Sequence, residues 1–573
     1  LEASTKKLLK SAGARGQGVD SILRSQIDEL SRAVSRNIGR LPLKLEKPQP
    51  KVMDLTTSSM EAYNYFIRGR NDMENLNVAD AKRFLEKAVA LDPTFAVAYL
   101  YLAQVSFYLV DTAGRDDALK KAMEFAGKAT EKERLFIEAE YAQSIESDQA
   151  KERRLLLELT EKYPQEKHAH YKLGADYYAD DRFSDAVVEL EKAVSLDPDF
   201  GGALNMLGYS YAGMGDYRKA EAVFQRYISA NPGDPNPVDS LAELYVHMGR
   251  FDLAEAKYKE AAGLKTDFTG SCVGLAYLYA LQENYAESER WIREFLNRAT
   301  DTARMEGLYI QYFLDYLQGR LEKAQAGFQS LRQIGEASRS DFIMQAADHT
   351  LGYLSCELGW FDRTRSVFES RLAEIAAESW NETSKKLHGA RYTLRLGWID
   401  LKQGRLEAAR RRAAEAERLM SGCETETLFP RVKLILQILR AELALAENDP
   451  RTALAEAAKF VLWNFPGMNT VDSVPYNMPF QIDVAARAHW KLGELDKAAA
   501  KYKRLMTVNE DNRYRRLIHP LYHYRLGRVL EEKGDKPGAV VEYRKFLEYW
   551  KDADKTHPEP ADARKRLAAL AAG

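Results

Sequence analysis

Cysteine is scarce in this chain. The 573 residues hold three, at 272, 356 and 423, never as Cys-x-x-Cys, which excludes a disulfide framework and a sequence-local zinc site. An excess of one charge is lacking too: 83 Lys+Arg stand against 85 Asp+Glu, a formal net charge of −2. A dedicated nucleic-acid binder gathers a basic excess on one face, so this balance argues against that class. No run approaches the ~18 consecutive apolar residues that would span a membrane. The chain opens on Leu1 without a basic-then-apolar leader, so a signal peptide is expected to be absent or already removed. What the chain does have is length and a 45% hydrophobic content, ample for a core. At roughly 150 residues per domain, about four domains would be expected.

A fixed step overrides that expectation. Gly174, Gly208, Ala242 and Ala276 are each 34 apart, as are Leu173, Leu207, Leu241 and Leu275, and Tyr177, Tyr211, Tyr245 and Tyr279. A second small-residue column runs Ala186, Ala220, Ala254, Ser288, and a third column Pro198, Pro232, Thr266, Thr300. Small residues let two antiparallel helices approach closely. The Leu and Tyr beside them fill the interface. Met214-Gly215-Asp216-Tyr217 and Met248-Gly249-Arg250-Phe251 read as turns in which Gly ends a helix. Leu196-Asp197-Pro198 stops the second helix before the next repeat begins.

These columns resemble the tetratricopeptide repeat, with four consecutive copies and no insertion from 167 to 302. Weaker copies lie upstream, through Gly69, Ala81, Ala88 and Pro93, through Tyr99, Leu102 and Ala103, and within Tyr141 to Pro164. Downstream copies are anchored by Gly319/Ala324/Phe328, Gly352/Gly359/Phe368, Gly397/Gly404/Ala409, Ala441/Ala453/Phe460, Gly493/Ala498/Tyr502 and Gly527/Gly534/Ala539/Tyr543. The resemblance implies an all-α superhelical solenoid of about thirteen helix-turn-helix repeats. The array is expected over 57–560, followed by a capping helix over 561–573. Phe465 to Pro479 and Val508 to Pro520 read as long loops between repeats.

Residues 1–50 do not follow the step. Ile22, Leu23, Ile27, Leu30, Val34 and Ile38 recur at helical spacing, and Pro42, Pro48 and Pro50 among lysines make 42–56 a linker. The run Leu55-Thr56-Thr57-Ser58-Ser59, with Ala62, Tyr63 and Gly69, resembles the start of the repeats in bacterial serine/threonine kinases and adenylyl cyclases. There a TolB-like domain precedes the array. Glu131 to Ala139, Tyr543 to Leu547 and Ala563 to Leu567 are similar to further segments of that family. The resemblance implies that 1–41 is the remnant of a TolB-like domain, and the sequence departs from that family in holding neither the kinase or cyclase domain nor most of the TolB-like domain. The resemblance suggests an extracytoplasmic compartment, whereas the unpaired cysteines lean towards the cytoplasm.

Catalytic signals fail on inspection. Asp199-Phe200-Gly201 spells a kinase tripeptide, but no His-Arg-Asp or Gly-rich loop accompanies it. Gly208-Tyr209-Ser210-Tyr211-Ala212 sits mid-helix, where a nucleophile elbow cannot form. Gly13 to Gly18 lacks a phosphate-loop register, and Asn381-Glu382-Thr383 has little force as a glycosylation acceptor. His168 and His170 diverge on a helix, and His519 and His523 share a face with Pro520 between and no third ligand nearby. The cysteines read as small apolar fillers. No catalytic residue, cofactor or metal is expected.

In the repeat family the first helix of each pair lines the concave face. Transferring that register places Tyr171, Tyr178, Asn205, Tyr209, Asp239, Glu243 and Tyr277 in a groove, and further on Tyr309, Phe313, Tyr316, His349, Tyr353, Arg391, Trp398, Arg487 and Trp490. Such aromatics suit a recognition surface, though half of them are expected to pack between repeats instead. The Lys/Asn clamp for a C-terminal carboxylate is not visible. Arg410-Arg411-Arg412 with Arg395, Arg405 and Arg418 reads as a solvated basic face offset by Glu407, Glu415 and Glu417. The chain therefore reads as a non-catalytic scaffold for a protein or peptide partner. By resemblance it is the sensory or assembly region of a bacterial signalling or cell-envelope protein. The rival readings are a structural subunit of a large complex, or the non-catalytic part of a kinase or cyclase.

Overall fold

A computed structural model describes residues 57, 59–74, 77–109, 111–266, 268–299, 301–338, 341–377, 380–424, 428–460, 481–508 and 517–572. The expected domain remnant at 1–41, the linker 42–56, the loop 465–479 and residues 509–516 of the loop 508–520 lie outside the described residues. The described chain is all helix, with no strand among the described residues. It forms two compact bodies divided between Tyr163 and Pro164.

The first body contains α1 (Met60–Glu74), α2 (Val78–Leu91), α3 (Ala96–Tyr108), α4 (Thr112–Glu124), α5 (Glu131–Ser144) and α6 (Gln149–Lys162). Phe66 centres its core, with its ring 5.1 Å from Phe95 and 5.4 Å from Tyr101. Thr130 and Glu133 form a reciprocal cap that starts α5.

The second body begins with α7 (Lys167–Ala179), α8 (Phe183–Leu196), α9 (Gly201–Met214), α10 (Tyr217–Ala230), α11 (Pro235–His247), α12 (Phe251–Leu264), α13 (Gly270–Leu281) and α14 (Tyr285–Arg298). It continues through α15 (Asp301–Leu317), α16 (Leu321–Ala337), α17 (Asp341–Glu357), α18 (Phe361–Glu374), α19 (Glu382–Lys402), α20 (Leu406–Met420), α21 (Phe429–Ala446) and α22 (Pro450–Ala457). It ends with α23 (Val484–Lys491), α24 (Leu495–Leu505), α25 (Leu521–Lys533), α26 (Lys536–Tyr549) and α27 (Glu559–Ala572).

One contact explains the small-residue column in both bodies. A Cβ on Gly69, Gly174, Gly208 or Gly527 would come within 2.6 to 2.8 Å of Leu85, Leu190, Phe224 or Tyr543. Each partner is sixteen positions further on, on the second helix of the pair. The glycine thus makes room for a large side chain, and a methyl there would force the two helices apart.

The turn column is broader than its glycines. Asp181, Gly215, Gly249 and Glu283, each 34 apart, all adopt positive φ, at 59°, 80°, 70° and 57°. Asp181 and Glu283 bear a conformational cost on the order of 1 kcal/mol that glycine avoids.

The second body closes on itself. Glu283 accepts from His523 Nε2 at 2.7 Å, while His523 Nδ1 lies 2.5 Å from Glu542. Trp550 Nε1 donates to the carbonyl of Leu317 at 2.8 Å, and the Asp554 N–H donates to Gly319 O at 3.0 Å. The Glu322 N–H donates to the Asp554 carboxylate at 3.0 Å, and the Tyr285 and Tyr549 rings meet edge-on at 5.5 Å. Helices α25 and α26 are thereby seated on the turns α13–α14 and α15–α16, more than 200 residues earlier in sequence. Gly319, at φ 73°, permits that seating, since a Cβ there would sit 2.8 Å from Ala553.

Candidate functional site

The inner helices carry the sequence-expected groove residues, and the structure sorts them into two groups. Tyr277, Tyr309, Phe313, Tyr316, Tyr353 and Trp398 are buried, none more than 6% exposed. Tyr309 shares a hydrogen bond of 2.8 Å with Thr350 and packs on Phe328, Phe313 lies against Tyr316, and Tyr353 meets Trp398 edge-on. These six are core side chains, because neighbouring repeats interlock through them. Tyr171, Tyr178, Asn205, Tyr209 and Arg391 are half-buried. Of His349 only its place on α17 is described. Arg487 is tied up by Glu442 and Asp483, and Trp490 Nε1 donates to Glu532 at 2.7 Å.

The half-buried stretch is continuous over three repeats. Tyr171 rests on Phe200 and Tyr178 on Phe183, with centroids 5.2 and 5.6 Å apart. On α9, one repeat on, Asn205 accepts from Ser240 at 2.8 Å, and Tyr209 lies edge-on to Phe224. On α11 the next pair is Asp239 and Glu243, one turn apart and so on the same face. Tyr209 donates its hydroxyl to Glu243 Oε2, and Ser271 on α13 donates to Asp239 Oδ1 at 2.5 Å.

The electrostatics of this pair are unusual. Burial pushes the Asp239 carboxyl up to about 7, against a lowering by the Ser271 hydroxyl. Burial pushes Glu243 up to about 8; the Tyr209 hydrogen bond opposes this and the Asp239 charge adds to it. Burial, with the Glu243 charge, raises Tyr178, Tyr209 and Tyr258 well above 10. Glu243 is 6% exposed, and its Oε1 has no hydrogen-bond partner. No cation is among the groups that set these five ionisations.

A second inner face has the opposite sign. His388, Arg391, Arg395, Trp398 and Lys402 follow one another at helical spacing along α19. Arg395 is 1% exposed, with its guanidinium 4.7 Å from the Tyr392 ring and 5.4 Å from Phe368. The expectation that Arg395 belongs to a solvated basic face is therefore corrected: it sits on the packed side of α19, held by ring faces. Arg405 and Arg410 are exposed and do meet acids, the buried Asp400 at 2.8 Å and Glu447 respectively. Burial and the charges of Arg391, Arg395 and Arg371 hold His388 down to about 3. The same arginines outweigh burial at Tyr392 and lower its hydroxyl.

The remaining candidates are structural. His170 bridges Glu189, at 2.6 Å, and the carbonyl of Pro164. Ser210 is buried mid-helix and donates to Met206 O. All three cysteines are buried, and burial pushes Cys356 up to about 12. Among the described residues no group of three His, Cys, Asp or Glu could hold a metal, and no helix is long and apolar enough to cross a membrane. Sequence reasoning placed Asp239 and Glu243 in the register but took them for scattered charge. The signal was two acids four apart in a helix, Pro235–His247, that carries no lysine or arginine.

Family models of the tetratricopeptide repeat match residues 177–244, 238–270 and 484–553. The chain thus carries tetratricopeptide repeats, in an all-helical repeat fold. Solved structures similar to parts of it include MamA from Desulfovibrio magneticus RS-1, at 14% identity over 29% of this chain and 95% of that one, TM-score 0.26. Pseudomonas aeruginosa pilF is 17% identical over 41% of this chain and 91% of its own, TM-score 0.23. A thermophilic TPR protein of Thermus thermophilus is 19% identical over 40% of this chain and 99% of its own, TM-score 0.24. No curated protein sequence matches the chain.

Proposed function

We propose that the chain is a non-catalytic scaffold that holds a segment of a partner protein against α7, α9 and α11. By its resemblance to the repeat regions of bacterial kinases and cyclases, it serves a signalling or cell-envelope assembly. The observation that carries this reading is the half-buried stripe Tyr171, Tyr178, Asn205, Tyr209 and Asp239, one or two side chains from each of three successive inner helices. Tyrosines bury much area with few rotamers to freeze, which suits recognition rather than bond chemistry. Buried cysteines, and a Ser210 locked to its own helix, leave the nucleophiles named above without access to a substrate.

The test is partner capture from the source cells with the full chain and with Tyr171→Ala/Tyr178→Ala. Both rings are half-buried rather than core, so helicity and unfolding midpoint should hold. Capture of the same partner is expected to fall about tenfold or more, a loss of ~1.4 kcal/mol or more at a recognition surface. Equal capture by the folded variant would remove the groove reading.

A further inference from the structure

Most buried aspartates of the second body are matched by an arginine. Asp315 pairs with Arg320 at 2.7 Å, Asp348 with Arg332 at 2.8 Å, Asp400 with Arg365 at 2.6 Å, and Asp483 with Arg487 and Arg525 at 2.9 and 2.5 Å. Asp239 and Glu243 have hydroxyl donors alone. A carboxyl removed from water without a cation must stay protonated or bear a large desolvation cost, so the site carries an unmet need for positive charge. Asp239 is half-buried and therefore partly open to the groove, and one turn further on the buried Glu243 has an Oε1 without a partner. Tyr178 and Tyr209, both half-buried, stand close enough for the Glu243 charge to act on their hydroxyls, and their rings offer faces to a cation.

We propose that Asp239 and Glu243, flanked by Tyr178 and Tyr209, receive the ammonium or guanidinium group of a lysine or arginine in the bound segment. This rests on the groove reading above and adds the chemistry that selects the segment. The incoming cation takes the place that Arg320, Arg332 or Arg487 fills at the other acids. It meets Asp239 first and drives off the carboxyl protons, so binding releases protons to solvent. The groups that face the pair from other helices are Tyr178 on α7, Tyr209 on α9, Tyr258 on α12 and Cys272 on α13, all neutral through the physiological range, and on α11 itself the buried His247 stands one turn from Glu243.

The experiment selects random twelve-residue peptides displayed on phage against the full chain, then measures the synthesised peptides against wild type, Tyr171→Ala and Asp239→Asn/Glu243→Gln. The amide variant keeps side-chain volume and an acceptor for Tyr209; Asp239→Asn alone serves if the pair fails to fold. The expected peptides share one Lys or Arg. Replacing it by Ala should weaken binding to wild type about tenfold or more, and to the amide variant less than about threefold. Affinity for wild type should rise about tenfold or more from pH 6 to pH 8.5, and stay flat for the variant. Peptides that need Tyr171 but share no basic residue would overturn the cation site and leave the groove. Peptides indifferent to Tyr171→Ala, or no selected peptide at all, would overturn the groove reading and this proposal with it.

Discussion

Asp483, the residue before α23, and Glu243, on α11, are both buried carboxylates of one repeat body, and their surroundings are opposite. Asp483 is 0% exposed and receives Arg487 Nε at 2.9 Å, Arg525 at 2.5 Å and the Tyr502 hydroxyl at 3.0 Å. Burial works against its charge, yet the two guanidinium groups outweigh it and hold the carboxyl below its ordinary range. Glu243 has one hydroxyl partner and no cation, and stays protonated to about pH 8. The arginine-rich face of α19 adds a cation that cannot shed its proton: Arg395 lies against the Phe368 and Tyr392 rings and its charge reaches the buried Asp348. Charge neutralised from within marks a packing role. Charge left to protonation marks a place where something from outside can bind.

The largest test of that contrast is Asp483→Asn. It removes the carboxylate that two half-buried arginines share, of which Arg487 alone keeps a second one in Glu442, a loss on the order of 3 kcal/mol. Chemical denaturation at pH 7 reads it. An Asp483→Asn chain as stable as wild type would show that the network is not what holds α23 to α25, and the contrast would break.

The 34-residue step made the helical pairs legible, because each column maps to one contact, such as Gly208 against Phe224. The register also assigned a set of side chains to the first helix of each pair. It could not separate the exposed from the interlocked, so Tyr309 and Tyr209 looked alike in sequence although one is core and the other half-buried. Self-closure was illegible for a different reason. His523 and Glu283 are 240 residues apart, and no local periodicity encodes such a contact. His519 and His523 share a face, but their partners are a backbone N–H and two carboxylates rather than a metal.

That closure supplies the intermediate case, in which a distant repeat provides the counter-charge. Burial works against the charge on His523, but Glu283 and Glu542 outweigh it and hold its pKa up to about 9. The folded chain therefore keeps a proton that the unfolded chain loses above its ordinary value near 6.5. The stabilisation is complete below that value, declines as pH rises, and is gone above about 9. His523→Gln is expected to cost about 2 kcal/mol at pH 6, and the difference from wild type should vanish by pH 9.5. A difference constant from pH 6 to pH 9.5 would show that His523 contributes packing alone.

Glu243→Gln should have the smallest effect and the opposite sign. In the folded chain Glu243 keeps its proton to about pH 8, whereas in the unfolded chain it ionises near 4.5. Between those values the native state binds more protons, so the wild type loses stability as pH rises. Glutamine carries no such linkage and still accepts from Tyr209. At pH 5 the variant and wild type should unfold at the same denaturant midpoint. By pH 8.5 the variant should be more stable, by about 1 kcal/mol, because burying an amide costs less than burying a carboxylate that has lost its proton. A saturating basic peptide should reverse the order at pH 8.5, since it binds the wild-type carboxylates and leaves the amide indifferent. If Glu243→Gln instead destabilises the chain at every pH, as Asp483→Asn does, then Glu243 is a packing carboxylate like the others and the distinction between the two kinds of buried acid is lost.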